Sequence, residues 1–371
     1  MYSYNVIIIS SIAELREKSE DWDDLLKRSS VNIPLARAEL VAQWVEQFAN
    51  KSIFRALIVE YRGRFIASLP IVGTRKGRII LAGINPSNEW AQSGQLLIDF
   101  QEDTFTAINL IIDNFEKLPF SIFWFDFIRS DDPEWVLFKK VLCSRKINSH
   151  WLIRYSTALV DVESNFDVMI SKCDKKSISN VQKRIKKFYK NIEFDFLCLT
   201  NRDEILNSLN DCFDLENKGW KGGNSGGSII KRGLEGFFHT QASLLCSHDE
   251  IILFLLKYNS KIISFEYAIC SNNTLYMMKT SYDPNFKNIS PGQVLRYLII
   301  VNYCVSTQIR RIDFIGEFMP HQKMWKPHKC NNSQVVIPLS SLHGIIFFYL
   351  YDKLMPLARK LKFRFISFLK F

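Results

Sequence analysis

The sequence predicts a mixed α/β protein built from two similar units, and three observations predict it. Apolar residues recur at helical spacing in some segments and in strand-length runs in others. The order helix, hairpin, strand, helix, strand occurs twice along the 371 residues. The composition, 47% hydrophobic and 23% charged, is that of a globular chain long enough for two cores. A repeated order of elements without obvious residue identity is most economically explained by tandem duplication of one α/β unit.

In the first copy, "IAELREKSEDWDDLLKRS" and "ARAELVAQWVEQFA" carry helical periodicity. "FRALIVEY" and "FIASLPIV" flank a turn at Gly63 and read as a hairpin. "GRIILAG" and "GQLLID" follow as strands, "TFTAINLIIDNFEKL" as a helix, and "FSIFWFDFI" as a buried strand. In the second copy, "RDEILNSLNDCFDLENKGW" and "LEGFFHTQASLL" are helices. "IILFLLKY" and "IISFEYAIC" form another hairpin, "TLYMMKTSY" is a strand, "SPGQVLRYLIIVNYCV" a helix and "IRRIDFIG" a strand. The expected division is 1–165, 166–340, and a basic amphipathic helix over 341–371 in which Leu354, Leu357, Leu361, Phe365 and Phe368 share a face.

A net charge of +10 favours an anionic partner. Much of it sits in "SKCDKKSISNVQKRIKKFYK", eight Lys or Arg against one Asp. That stretch reads as a solvated helical face, or as a dock for an acyl-carrier protein, an anionic membrane or tRNA. Few aromatics are interleaved with its charges, which disfavours nucleic acid. The eight cysteines are scattered without a Cys-x-x-Cys pair, which argues against a disulfide or zinc framework, so no metal is expected. The N-terminal "VIIIS" is too short for a signal core and no uncharged run reaches the length of a spanning helix. The expected location is cytoplasmic, with membrane association through the C-terminal helix as an added reading.

Chemistry concentrates in three places. "SYDPNFKNISPGQVLRYLI" opens an apolar helix at Ser290-Pro291-Gly292, with Ser290 as the expected N-cap. First-turn amides without side-chain cover can bind phosphates. "FDLENKGWKGGNSGGS" opens a stretch, Gly219 to Gly236, that holds seven of the fifteen glycines; it lacks the Gly-Lys-Ser/Thr of a nucleotide P-loop and reads as a substrate loop or a surface connection. "DFIGEFMPHQKMWKPH" places Asp313, Glu317, His321, Lys323 and Trp325 just beyond a strand end, where ligand crevices form in open α/β sheets.

These residues carry a resemblance. The second half resembles the CelD-like acetyltransferases, a group of the GNAT superfamily built as two GNAT-like domains, a tandem design shared by the Fem-type peptidyltransferases. The matching elements are Glu216 before Gly219-Trp220-Lys221-Gly222; Tyr282-Asp283 followed by Ser290-Pro291-Gly292; and Asp313-Phe314 with Trp325 twelve residues beyond the Asp. His321-Gln322 stands where the family often has a Tyr-Lys pair. The resemblance implies two tandem GNAT-like domains, each a mixed central sheet flanked by helices, the first degenerate. It implies an N-acyltransferase that moves an acyl group from acyl-CoA or an acyl-carrier protein to an amine of a sugar, lipid-linked saccharide or peptide. The alternatives are a Fem-type aminoacyl-tRNA-dependent peptidyltransferase and a non-catalytic tandem module that binds membrane or nucleic acid. On this reading Met278, Lys279, Thr280, Ser290, Pro291, Gly292 and Gln293 hold the donor. Asp283, Glu266, Asp313 and His321 are candidates for the base, and Glu216, Trp220, Lys221, Glu317, Lys323 and Trp325 meet the acceptor.

Overall fold

A computed structural model of the protein describes residues 3–76, 79–189, 194–223, 227–305 and 307–354. The chain divides into two compact units. One comprises Met1–Val31, Leu35–Arg154 and Asn331–Phe371; the other comprises Asn32–Pro34 and Tyr155–Cys330. Residue 165 therefore lies inside the second unit, and the described residues after 340 belong to the first.

The first unit contains β1 (Tyr4–Ile9), α1 (Ile12–Glu17), α2 (Ser19–Arg28), α3 (Ala38–Ala49), β2 (Phe54–Tyr61), β3 (Arg64–Lys76), β4 (Ile80–Ile84), β5 (Leu97–Ile98), α4 (Thr104–Asp113), β6 (Ile122–Arg129) and α5 (Pro133–Ser144). β1 to β4 are antiparallel neighbours, β4 and β6 run parallel, and β5 pairs with β3. The helix expected from Ile12 breaks at Lys18, whose φ of −105° and ψ of 18° leave the helical region, and becomes α1 and α2. β2 and β3 are joined by Arg62 and Gly63, both at positive φ, the mirror-image turn whose twist matches a hairpin. The sheet is covered by α4 and α5, with Leu57, Ile71, Ile108, Phe123, Phe125, Trp135 and Phe138 buried in one cluster.

The chain leaves the first unit within β7 (His150–Asp161). The second unit then adds α6 (Phe166–Lys172), α7 (Lys175–Tyr189), β8 (Phe194–Leu199), α8 (Arg202–Lys218), α9 (Glu235–Cys246), β9 (Ile251–Tyr258), β10 (Lys261–Ser271), β11 (Thr274–Tyr282), α10 (Pro291–Leu298) and β12 (Arg311–Asp313). The chain returns within β13 (His328–Pro338) and ends its described course in a helix over 342–354, here α11.

In the second unit β8 to β11 are antiparallel, β11 and β12 are parallel, and β12 pairs antiparallel with β7. In the first, β6 pairs antiparallel with β13. Each unit thus has four antiparallel strands, a parallel pair bridged by a helix, and a closing strand drawn from a distant part of the sequence. The mixed α/β class and the repeated order of elements expected from the sequence are both present.

Candidate functional site

The second unit opens where its parallel pair ends. β11 pairs with β12 only over Thr274–Tyr276, while β11 runs on to Tyr282. The β12 ladder does not continue along β11 beyond Tyr276. On the other side the β10 ladder skips a residue: Tyr267 faces Lys279 and Ala268 faces Met277, so Met278 is the extra residue of a bulge. A bulge leaves one residue out of the ladder and re-aims its neighbours.

Beyond β11, Asp283 accepts from the Asn285 amide at 2.9 Å and caps the short turn Pro284–Ile289. Ser290 follows at φ 53° and ψ 58°, and its side chain makes no capping bond to α10, contrary to its expected N-cap role. The Ser290 amide donates to the Lys287 carbonyl, and the Gln293 and Val294 amides both turn to the Ser290 carbonyl. Pro291 has no N–H. The Gly292 amide is therefore left without an acceptor among the described residues. A Cβ at Gly292 would come no nearer than 3.8 Å to the Tyr282 ring and 4.0 Å to Ser264 Oγ. Packing does not require glycine there.

α7 lies against this helix start. Arg184 Nη1 donates to Gln293 Oε1 at 3.2 Å and Gln182 Nε2 to the Tyr297 hydroxyl at 3.0 Å. A cleft of about 480 Å³ is lined by Asp174, Ser177, Asn180 and Arg184 from the α7 side, Gln293 from α10, and Pro320, His321, Lys323, Met324 and Lys326. Three permanent cations against one carboxylate make it an anion-attracting surface.

A buried charged chain sits behind it. Glu266 on β10 is 1% exposed, and its Oε2 accepts from Arg296 Nε at 3.1 Å. Thr280 faces Glu266 across the ladder, but its hydroxyl donates to the Phe265 carbonyl, and Glu266 Oε1 is left with no hydrogen bond. Burial pushes the Glu266 carboxyl up from its ordinary range, and the Arg296 guanidinium pulls against that. Arg296 Nη1 lies 2.6 Å from His321 Nε2. Because a guanidinium only donates, Nε2 is the acceptor and the ring proton sits on Nδ1. Burial, with Arg296 adding to it, drives the His321 pKa down to about 4, so the imidazole is neutral and its Nε2 lone pair is engaged. The Arg296 guanidinium also lies over the Phe314 ring at 5.2 Å.

A second ion pair positions the Trp-Lys-Gly element. α8 ends into a 3-10 turn, Trp220–Gly222, where a Cβ on Gly222 would sit 1.6 Å from the Asn217 carbonyl oxygen. Only glycine permits that approach, which brings Lys221 back over its own helix. Lys221 Nζ donates to Glu216 Oε1 at 2.8 Å and to the Thr280 carbonyl at 3.1 Å, and buried Glu216 also accepts from the Ile229 amide.

Of the residues singled out in the sequence, Glu216, Lys221 and Thr280 form one connected group, Glu266 and His321 join through Arg296, and Gln293, His321 and Lys323 share the cleft. Asp313 is buried and its Oδ1 accepts from the Ile315 amide at 2.8 Å. Lys279 Nζ lies over the Phe238 ring at 5.4 Å. Glu317 is exposed. Trp325 is buried, its ring 6.5 Å from that of Tyr297, a core position away from solvent. The Trp220 side chain lies outside the described residues. Sequence reasoning missed Arg184 and Arg296. The signal for Arg296 was a lone cation on an apolar helix four residues after Gly292.

Residues 175–323 match the family described as the acetyltransferase (GNAT) domain. Among solved structures the chain resembles FemX, with a TM-score of 0.61 at 10% identity over 90% of this chain and 97% of that one. It resembles the C-terminal domain of a protein from Agrobacterium fabrum named as a lysylphosphatidylglycerol synthetase, at 0.54 and 11% over 91% and 97%. L-PGS from Bacillus licheniformis follows at 0.51 and 11% over 89% and 96%. At these identities the likeness is one of fold. A search of curated proteins finds no match.

Proposed function

We propose that the protein is an N-acyltransferase that uses the second unit to move an acyl group from a thioester donor, acyl-CoA or an acyl-carrier protein, to an amine. The match of residues 175–323 to the GNAT domain supports the acyltransferase class. The observation that carries the reading is the bare start of α10 beside the part of β11 beyond the β12 ladder. Gly292 offers an amide without an acceptor at a position where packing would tolerate a side chain. A helix N-terminus adds roughly half a positive charge there, and Arg184 and Lys323 stand in the adjoining cleft. These groups suit the phosphates of a pantetheine-bearing donor.

Such a donor supplies an activated acyl carbonyl. On this reading that part of β11, around Met278–Thr280, provides a backbone N–H to that oxygen as it gains charge. The amine nitrogen attacks the carbonyl carbon, the carbon–sulfur bond breaks, the sulfur leaves as thiolate, and one proton must leave the nitrogen. Among Glu266, Asp283, Asp313 and His321, Glu266 is the assigned acceptor of that proton, because its Oε1 alone is shown buried and unpaired. Asp283 and Asp313 accept from backbone amides, and His321 Nε2 is engaged by Arg296. Arg296 holds the Glu266 carboxylate in place, and Lys221 lends its charge from nearby. The resemblance to CelD-like enzymes points to a sugar, lipid-linked saccharide or peptide amine as acceptor.

Isothermal titration with acetyl-CoA, longer acyl-CoAs and free CoA tests the donor. The expected outcome is saturable binding of at least one. A folded protein that binds none of them would overturn the CoA reading and turn attention to an acyl-carrier protein or an aminoacyl-tRNA.

A further inference from the structure

The helix α11, over 342–354, is apolar on both faces. Ser341 opens it: its hydroxyl accepts from the Gly344 amide at 3.2 Å and its carbonyl from the Ile345 amide at 3.0 Å. Gly344 rests on the Ser121 carbonyl, where a Cβ would come within 2.0 Å. One face packs within the first unit. Tyr351 is buried with Ile80, Ala82, Ile122 and Val336, and Phe347 and Phe348 lie against the same cluster. Gln334 Nε2 donates to the Tyr351 hydroxyl at 2.8 Å, and His150 pairs with Asp352 at 2.7 Å. The helix is fixed on its inner side.

Its outer side carries Leu342, Ile345, Ile346, Tyr349 and Leu350, followed by Leu354, at exposures of 49% to 69%. The spacing of three and four residues places Leu342, Ile345, Ile346 and Tyr349 on the side opposite Tyr351, with Leu350 at its margin and Lys353, also exposed, one turn further along the same side. Nothing among the described residues covers this stripe. A surface helix of a soluble domain ordinarily turns charged residues outward, and a contiguous exposed apolar stripe marks a contact surface. The sequence that follows, residues 355–371, contains five Lys or Arg and no Asp or Glu. That charge complements anionic lipid headgroups. In a self-associated pair the same run of like charges would be present twice and would oppose association.

We propose that the outer face of α11 lies on an anionic membrane surface, with Leu342, Ile345, Ile346, Tyr349 and Leu350 as the apolar contact. This does not depend on the acyl-transfer reading. Flotation of the full chain with vesicles of equal parts phosphatidylglycerol and phosphatidylcholine, against phosphatidylcholine alone, tests it. The expected result is co-flotation with the anionic vesicles that weakens as salt is raised. The double variant Ile346→Glu and Tyr349→Glu alters only outward side chains and should lower partitioning at least about tenfold, with an unchanged thermal midpoint. Wild-type protein that floats with neither vesicle, or a variant that floats as well as wild type, would overturn the proposal. So would a light-scattering mass showing a dimer that the double variant converts to a monomer, because the stripe would then be a self-interface.

Discussion

The two units place a helix at the same point in their topology, between the two strands of a parallel pair, and they finish its N-terminus in opposite ways. In the first unit α4 opens on Asp103, whose carboxylate accepts from the Thr106 amide at 3.0 Å and the Thr106 hydroxyl at 2.7 Å. Those bonds hold the Asp103 carboxyl below its ordinary range, so the helix end carries its own anion. In the second unit α10 opens on Ser290, whose side chain makes no cap, and Gly292 leaves its amide bare. One copy has sealed the position with its own carboxylate; the other has left it open to an anion from outside. On the proposed function, this is why the chain has one working donor site and not two.

A buried carboxylate in each unit extends the contrast. Glu134 at the start of α5 accepts from the Ser30 hydroxyl at 2.6 Å, a neutral partner, and burial pushes its pKa up to about 7. Glu266 is instead held by a guanidinium and keeps one oxygen unpaired. The sharpest way to break the comparison is to neutralise each in turn. Glu266→Gln should lower kcat by about 10²- to 10⁴-fold, measured as thiol release, with donor affinity unchanged. Glu134→Gln should leave kcat within about twofold. Equal effects of the two substitutions would remove the assignment of the base.

Next in size is the conversion of one helix end into the likeness of the other. Gly292→Asp places a carboxylate beside the bare amide, as Asp103 stands beside Thr106. Donor affinity by calorimetry should fall tenfold or more, about 1.4 kcal/mol. The thermal midpoint should hold, because the nearest contacts of a Cβ there are ordinary ones. Unaltered affinity would sink the placement of the donor phosphates.

Stability against pH separates the units again, because their perturbed groups have opposite signs. Glu134 keeps its proton in the folded state up to about pH 7, whereas the unfolded chain releases it near 4.5. Its contribution is present at low pH and is lost as pH rises through that window, a change of about 3 kcal/mol. His321 refuses a proton in the folded state down to about pH 4, whereas the unfolded chain takes one near 6.5. Its contribution is present above that window and is lost as pH falls through it. Urea midpoints from pH 4 to 8 should show the high-pH loss disappear in Glu134→Gln and the low-pH loss disappear in His321→Gln. A pH profile unchanged in both variants would refute both assignments.

Much of the fold was legible in the sequence because local patterns dictate it. Strands β2, β3, β9 and β10 are predominantly apolar runs of strand length, and their turns sit at Arg62-Gly63 and Asn259-Ser260, where the chain takes positive φ. The closing strands were not legible: β13 in the first unit and β7 in the second pair across long sequence separations that no local period records. The site divides the same way. Gly292 and Lys221 stood out through the motifs that contain them, and Glu266 entered only as one of four candidates for the base. Arg296 did not stand out, because its role comes from Glu266, thirty residues away, and His321, twenty-five away. Trp325 looked like a ligand contact by its place after a strand end, but a large ring beside Tyr297 gains more from burial.

The smallest expected effect bears directly on the two helix ends. Removing a side chain that caps a helix costs about 1 kcal/mol, and removing one that does not cap costs little. Asp103→Ala should therefore destabilise the protein by about 1 kcal/mol in urea, while Ser290→Ala should stay within about 0.5 kcal/mol. Ser290→Gly should stabilise by roughly 0.5 to 1 kcal/mol, because Ser290 sits at φ 53°, where glycine pays no steric cost. If Ser290→Ala proved as costly as Asp103→Ala, its hydroxyl would be completing the first turn of α10 in solution. The two helix ends would then be alike, and the open amide of Gly292 would lose its standing as the feature that distinguishes the second unit.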